Sequence, residues 1–404
     1  MSPDSTPEHP RDLSTRLIHP DYQPPDGFEA VQPPVHKACS VLFPDMASVA
    51  QRRWTDRSSY TYGLHGTPTT YRLEAQMAQL EGAQHALLCP SGLMPIALVN
   101  LTFLKPGDAV LLPDNAYGSG RDMAWHWLRE RGVRVDVYEP MDVAAFSAAL
   151  TPQTRVVWLE AAGSITMEFP DLPALVAATR AHEARHGRVI VALDNTWGAG
   201  LAFNAFEAGA DVSVHAMTKY PSGGADVLMG AVVTRDDALH RSLQRTHMHL
   251  GVGVGGNDAE LVLRSLPTMS LRYDAQDRAA RHLARWLAQQ PQIERVLHPA
   301  LPSGVGHEHW QALCGVRDRA AGIFSFTLDE RYSAGQADAL VDALQLFGIA
   351  YSWGGPMSLA MRYDLSQTRS HALPWRGVLI RLAIGLEDVA DLQADLAQAL
   401  ARLG

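Results

Sequence analysis

The sequence predicts an α/β protein: a doubly wound, mostly parallel, seven-stranded sheet followed by a smaller α+β unit. Three observations predict it. Short apolar runs rich in Val and Leu recur along the first part of the chain, the pattern of strands buried on both faces. Segments with helical spacing separate them, the alternation that builds a parallel sheet with helices on both sides. Beyond about residue 290 the alternation changes to a few strands grouped with amphipathic helices.

The elements follow in order. Residues 1–67 hold little periodicity and many breakers (Pro20, Pro24, Pro25, Gly27, Pro33, Pro34 and Pro44), so this stretch reads as an arm lying on another domain or subunit. Thr67-Pro68 then marks a helix start, with Leu73, Met77 and Leu80 at helical spacing and Gly82 as the stop. The strands are HALLC (85–89), AVLLP (109–113), RVDVYEP (134–140), VVWLEA (156–161), VIVALDN (189–195), VSVHAM (212–217) and MGAVVT (229–234). Helices are expected from Ser91 to about Leu104 and around 120–131. A long helical region follows over 255–290. The last part reads as strands at 293–299, 322–328 and 378–385, a helix near 334–347, and a closing helix from Leu386 to Leu403. The expected divisions are an arm (1–67), an α/β domain (68–266) and an α+β domain (267–404).

Bulk properties narrow the function. The 404 residues carry a net charge of −9, which argues against nucleic acid or an anionic membrane as partner. Hydrophobic residues at 47% and charged residues at 19% suit a globular chain with a large core. No run approaches the roughly 18 apolar residues of a membrane helix, and no signal-peptide pattern opens the chain. The cysteines, Cys39, Cys89 and Cys314, form neither a disulfide framework nor a metal-ligand spacing. His247 and His249 read as a packed or solvated pair rather than a metal site, and no metal is expected. A reducing cytoplasm fits these features.

Chemistry-bearing residues gather at strand ends, where α/β sheets bind ligands. Asp194 follows one apolar run, and Thr218 and Lys219 follow the next. They form either a salt bridge at the rim of an ordinary core or a pyridoxal-phosphate site. In the second reading Lys219 forms the Schiff base and Asp194 pairs with the pyridine nitrogen. Burial would keep the lysine amine deprotonated, as that chemistry needs. Ser91-Gly92-Leu93 is either a plain helix cap or a phosphate cradle of backbone N–H groups. Tyr117 is either packing or a ring-stacking partner. Arg381 interrupts an apolar strand, as a surface arginine or as a buried carboxylate fork. Tyr351-Ser352-Trp353-Gly354-Gly355 reads as a pocket wall.

Six motifs turn these separate readings into a resemblance: LEAAGSITMEFPD (159–171), DNTWGAG (194–200), AMTKY (216–220), HPALPSGVGHEHW (298–310), AYSWGGPMSL (350–359) and LIRLAIGLEDVADL (379–392). From about Thr15 onward the chain resembles the cysteine/methionine-metabolism family of fold-type I pyridoxal-phosphate enzymes. SITMEF and SWGG resemble its β-lyase branch more than its γ-lyase or γ-synthase branches. The resemblance implies pyridoxal 5'-phosphate as cofactor and α,β-elimination of the thioether L-cystathionine to homocysteine, pyruvate and ammonia. A β-lyase acting on cysteine, cystine or cysteine S-conjugates remains open, with Leu64 and Pro356 placed near the pocket; behind it come a γ-lyase or γ-synthase and, last, a non-catalytic regulatory protein.

The resemblance also assigns residues. Lys219, Tyr117 and Tyr62 are implied as catalytic. The cofactor is implied to lie among Lys219, Asp194, Tyr117, Gly92, Leu93, Thr218, Thr196 and Tyr62. The substrate α-carboxylate is implied to meet Arg381, beside Tyr351, Ser352 and Trp353. A homo-oligomer is implied, a tetramer built as a dimer of dimers, with the arm carrying Tyr62 into the neighbouring subunit's site. One departure stands out: where the family carries a phosphate-binding arginine two residues past this tyrosine, the chain has Leu64. His65 is a poor substitute. Loss of a charge-assisted contact is worth about 1.5–3 kcal/mol.

Overall fold

The computed structural model describes residues 13–18, 26–27, 31–366, 369–371 and 375–403; Pro20, Pro24 and Pro25 of the arm lie outside them. All seven expected strands of the first sheet are present: β1 His85–Cys89, β2 Ala109–Pro113, β3 Arg134–Tyr138, β4 Thr154–Glu160, β5 Ile190–Asp194, β6 Val212–Ala216 and β7 Gly230–Thr234. Their order is β1-β7-β6-β5-β4-β2-β3. Only β7 runs against the rest, pairing antiparallel with both β1 and β6. Residues such as Val157, Val191 and Val212 are fully buried, as the continuous apolar runs require of a sheet covered on both faces.

Helix Pro68–Leu80 begins as expected. Thr67 and Thr70 form a reciprocal capping box, Pro68 occupies the first turn, and Gly82 follows at φ +64°. Helix Leu93–Phe103 starts at Gly92, where a Cβ would come 2.6 Å from the Ala216 Cβ. Only glycine lets this helix begin against β6.

Other expectations are adjusted. The segment expected as one helix over 120–131 is an α-turn (Gly118–Met123), a π-helical stretch (Ala124–Leu128) and a 3-10 turn (Arg129–Arg131). The 255–290 region divides at Pro267, whose ring cannot sit inside a helix, into Gly256–Ser265 and Met269–Leu287. The helix expected near 334–347 ends at Asp342. The final helix starts at Val389 rather than Leu386, because the Asp388 carboxylate caps the N–H groups of Ala390 and Asp391.

A second sheet holds β8 Ile293–Leu297, β9 Ile323–Leu328, β10 Gly348–Ile349, β11 Leu359–Tyr363 and β12 Leu379–Ala383, in the order β10-β11-β12-β9-β8. β10 and β11 were not among the expected strands. Phe324, Phe326, Ile380 and Leu382 pack with Leu283, Leu287, Leu392 and Leu396 in a core of their own. Each such side chain contributes about 1.5–3 kcal/mol by leaving water. Side chains alternate along a strand, so Arg381, between Ile380 and Leu382, points away from that core. Its Cα partners are Ser325 on β9 and Met361 on β11.

Candidate active site

The carboxyl ends of β4, β5 and β6 and the opposite face of β12 enclose a cleft of about 640 Å³. Lys219 stands in it just after β6, and its Nζ donates to Ser352 Oγ at 2.6 Å. Ser352 has φ +95°, a left-handed geometry unusual for serine and typical of strained functional positions. Gly354 lets this loop lie on the lysine backbone, since a Cβ there would meet Tyr220 N at 3.0 Å and Lys219 C at 3.1 Å. The Trp353 ring centre lies 5.5 Å from Lys219 Nζ, and its edge packs on Tyr220.

Two carboxylates line the same cleft. Asp194 ends β5 and Glu160 ends β4, and the two are register partners across parallel strands. Asp194 Oδ1 accepts the Thr196 N–H at 3.0 Å, while Thr196 Oγ1 accepts the Ala216 N–H at 2.9 Å and so ties β5 to β6. Glu160 Oε2 accepts the Tyr117 N–H at 2.8 Å. The Tyr117 side chain is 43% exposed and lines the cleft, free to cover a flat ring. Arg381 is buried in the far wall, its guanidinium 4.8 Å from the centre of the Tyr363 ring.

Burial dominates the electrostatics. It lowers the Lys219 ammonium to about 8, helped by the nearby Arg381 cation and opposed by Asp194. It raises Asp194 above the usual carboxylate range, although Thr196, His215 and Lys219 act the other way. It raises Glu160 well above its usual value, and the Asp194 charge adds to this. The site thus holds an amine that releases its proton readily and two carboxyls short of a cation.

Of the expected residues, Lys219, Asp194, Tyr117, Gly92, Leu93, Thr218, Thr196, Arg381, Tyr351, Ser352 and Trp353 all line this cleft. Thr218 Oγ1 also exchanges hydrogen bonds with Met229 at the foot of β7. Tyr62 is not brought to its own chain's cleft. It pairs with Ser40 in an isolated bridge and lies 3.4 Å from the Cys39 sulfur. Leu64 lies in a separate recess with Arg57 and His247, and Pro356 is not among the residues lining the cleft. His65 bonds Thr61 at 2.8 Å and packs on Trp54; burial lowers its pKa, so it offers no charge in place of the absent arginine. Glu160 and Tyr363 escaped the sequence reading. Glu160 carried the same signal as Asp194, an acid closing an apolar strand.

A pyridoxal 5'-phosphate needs an amine for its aldehyde, an anion for its ring nitrogen and donors for its phosphate. The residues present fit. Lys219 has the low pKa the first demands, Asp194 lacks a strong cationic partner, and helix Leu93–Phe103 opens into the cleft at Gly92, with Ser91 Oγ accepting the Met94 N–H at 3.2 Å beside it.

Comparison with known proteins agrees. Residues 14–401 match the family described as Cys/Met metabolism PLP-dependent enzyme. A putative cystathionine beta-lyase of Rhizobium johnstonii is 40% identical, covering 96% of both chains. The cystathionine beta-lyase of Bordetella avium is 38% identical over 99% of both. An L-methionine gamma-lyase of Pseudomonas putida is 34% identical over 96% of this chain and 97% of its own. The crystal structure of metB from Corynebacterium glutamicum superposes with a TM-score of 0.86 at 28% identity, over 98% of this chain and 99% of that one. With a lysine, a carboxylate and a helix start lining one cleft, and the family matched almost end to end, the chain belongs to the pyridoxal-phosphate-dependent enzymes of cysteine and methionine metabolism.

Proposed function

We propose that the chain is a carbon–sulfur lyase of methionine biosynthesis that splits L-cystathionine by α,β-elimination into homocysteine, pyruvate and ammonia. The observation that carries this reading is the Lys219 amine, lowered to about 8 and held 2.6 Å from Ser352 in a cleft that also holds Asp194 and Arg381. Bound pyridoxal 5'-phosphate supplies an aldehyde for the substrate amine and a ring that absorbs the electrons released at Cα.

The chain's own residues do the rest. Gly92, Leu93 and Thr218 would hold the phosphate, Tyr117 would cover the ring, and Asp194 would keep the proton on the ring nitrogen. Arg381 grips the α-carboxylate as a fork, with Ser352 and Trp353 beside it. Tyr117, or Tyr62 of a second copy, takes the proton from the substrate ammonium. Lys219 Nζ removes the Cα proton and returns one to the departing sulfur. The Cβ–S bond breaks, homocysteine leaves as a thiol, and water converts the remaining three-carbon fragment to pyruvate and ammonia.

Exposed apolar side chains on the arm, Val31, Leu42 and Met46, support packing of residues 1–67 on a second copy in a cytoplasmic tetramer. Sedimentation of the holoenzyme tests the assembly; a monomer that retains activity contradicts it. Elimination is tested by pyruvate release from cystathionine. A second reading, a β-lyase acting on cysteine, cystine or cysteine S-conjugates, is favoured by the uncharged mouth of the cleft, where Tyr351 and Leu228 are 72% and 71% exposed. Pyruvate yields from cystathionine, cystine and cysteine compared side by side separate the two. Release from none of them rejects both.

A further inference from the structure

β11 ends at Tyr363 and β12 carries Arg381, and both residues line the cleft. Between the two strands, Arg369, Ser370 and His371 reach across to the first sheet. Asp114, the residue after β2, receives them. Its oxygens accept the Ser370 N–H at 2.8 Å and the His371 N–H at 3.0 Å. Arg369 Nε lies 3.1 Å from Asp114 Oδ2, an ion pair whose N–H is not aligned for a hydrogen bond. The other end of the same guanidinium lies 3.2 Å from Glu168 Oε1, and its Nη1 donates to Thr166 Oγ1 at 3.0 Å.

These two carboxylates also hold side chains on either side of Tyr117. Arg121 donates to Asp114 at 3.0 Å, and Asn115 donates to Glu168 at 3.2 Å. The pairing is buried: the side chains of Arg369, Asp114 and Glu168 are 8%, 0% and 5% exposed. Asp114, Glu139 and His371 also bring ligand atoms within 4.8 Å of one another, but Arg121 and Arg369 already neutralise Asp114 and oppose a metal cation.

We propose that Arg369 is a positioning residue for amino-acid substrates: by bridging Asp114 and Glu168 it fixes the distance between the wall bearing Tyr363 and Arg381 and the segment bearing Tyr117. Without the guanidinium, two buried carboxylates lose their shared cation and repel, and the two walls move apart. Of the residues assigned to the cofactor only Tyr117 lies on the displaced segment; Lys219, Asp194 and Gly92 lie on other elements and keep their places. The inference rests on the proposed function only in taking an α-amino acid to occupy the cleft.

The test uses the holoenzymes of wild type, Arg369→Met and Arg369→Lys. L-Alanine, which has no leaving group at Cβ, is titrated while the visible absorbance of the bound cofactor is followed; kcat and KM are measured with cystathionine. In Arg369→Met the alanine half-saturation and the KM are expected to rise together, about fivefold or more, with kcat nearly unchanged. Arg369→Lys, which keeps one charge, falls between. Melting temperature falls, as loss of a buried cation requires, while the cofactor content of the folded enzyme stays close to wild type. Unchanged half-saturation overturns the proposal. So does a weakening of alanine binding only in step with loss of cofactor from the folded enzyme, the signature of a merely structural residue. If wild type releases no pyruvate from any thioether, the lyase reading fails, and the alanine titration still decides the role of Arg369.

Discussion

Asp194, partly buried at the cleft, and Glu81, fully buried, are carboxylates on either side of Asn195, and they meet opposite fates. Glu81, at the end of helix Pro68–Leu80, arrives with its partners built in. His215 Nε2 lies 2.5 Å away, Asn195 Nδ2 and Ser213 Oγ donate at 2.7 and 2.9 Å, and the Ala205 N–H donates at 3.2 Å. Burial pushes its pKa up, but His215 and these donors outweigh burial and hold it below the usual value. Burial acts on Asp194 too, against fewer donors, and its pKa is raised. A structural carboxylate is satisfied within the fold. Asp194, in its proposed role, is left short of a cation that would arrive with the ligand.

Lys219 gives the largest test of that contrast. Lys219→Ala removes both the tether and the proton carrier, so turnover should fall by roughly 10⁴-fold or more, with loss of the cofactor's visible absorbance. Retained elimination would sink the site assignment.

The two carboxylates should then separate stability from activity. Glu81→Ala leaves His215 and three further donors without their acceptor in the core and should cost roughly 3–5 kcal/mol, read by denaturant unfolding of the cofactor-free chain. Asp194→Asn should leave that unfolding curve nearly unchanged, yet lower kcat/KM by roughly 10²–10³-fold. The contrast breaks if Asp194→Asn unfolds the chain or Glu81→Ala is neutral.

Much of this was legible in the sequence, for identifiable reasons. Strands such as Ile190–Asp194 are buried on both faces, so burial writes an unbroken apolar run and the closing acid stands out. Lys219 and Arg381 are conspicuous as charges beside or within such runs. What could not be read depends on contacts distant in sequence. Whether Glu160 faces the cleft is decided by its register with Asp194, and the role of Arg369 by Asp114, some 250 residues earlier. Tyr363 sits on a strand whose residues are only partly buried, so its pattern is weak. Tyr62 marks the opposite limit: one chain alone does not bring it to a cleft.

A pH experiment sharpens the electrostatic side. Only the neutral Lys219 amine condenses with an aldehyde, so cofactor uptake by the cofactor-free enzyme should rise with pH and level off above about 8. Burial is the main cause of that low value, and the Arg381 cation adds to it. Arg381→Met should therefore move the midpoint upward, followed as growth of visible absorbance after mixing. A downward shift would show that Arg381 does not act on the lysine as a neighbouring charge.

The smallest effect belongs to Glu160, and it concerns stability rather than rate. Glu160 and Asp194 both titrate above their usual range in the folded, cofactor-free chain. The folded state then binds more protons than the unfolded one. Their contribution is fully present below the ordinary carboxylate pKa and is lost as pH rises through the raised values. Each group can tilt stability by at most about 1.4 kcal/mol per pH unit over that window. Glu160→Gln removes one titrating group and also relieves Asp194 of a like charge. Melting temperatures of the cofactor-free variant should therefore fall less than wild type between mildly acidic and neutral pH. Adding pyridoxal 5'-phosphate should shrink the difference, because a protonated ring nitrogen gives Asp194 the cation it lacks. Parallel curves for the two proteins would mean that Glu160 is already charged in the fold and that the two strand-end acids do not compete.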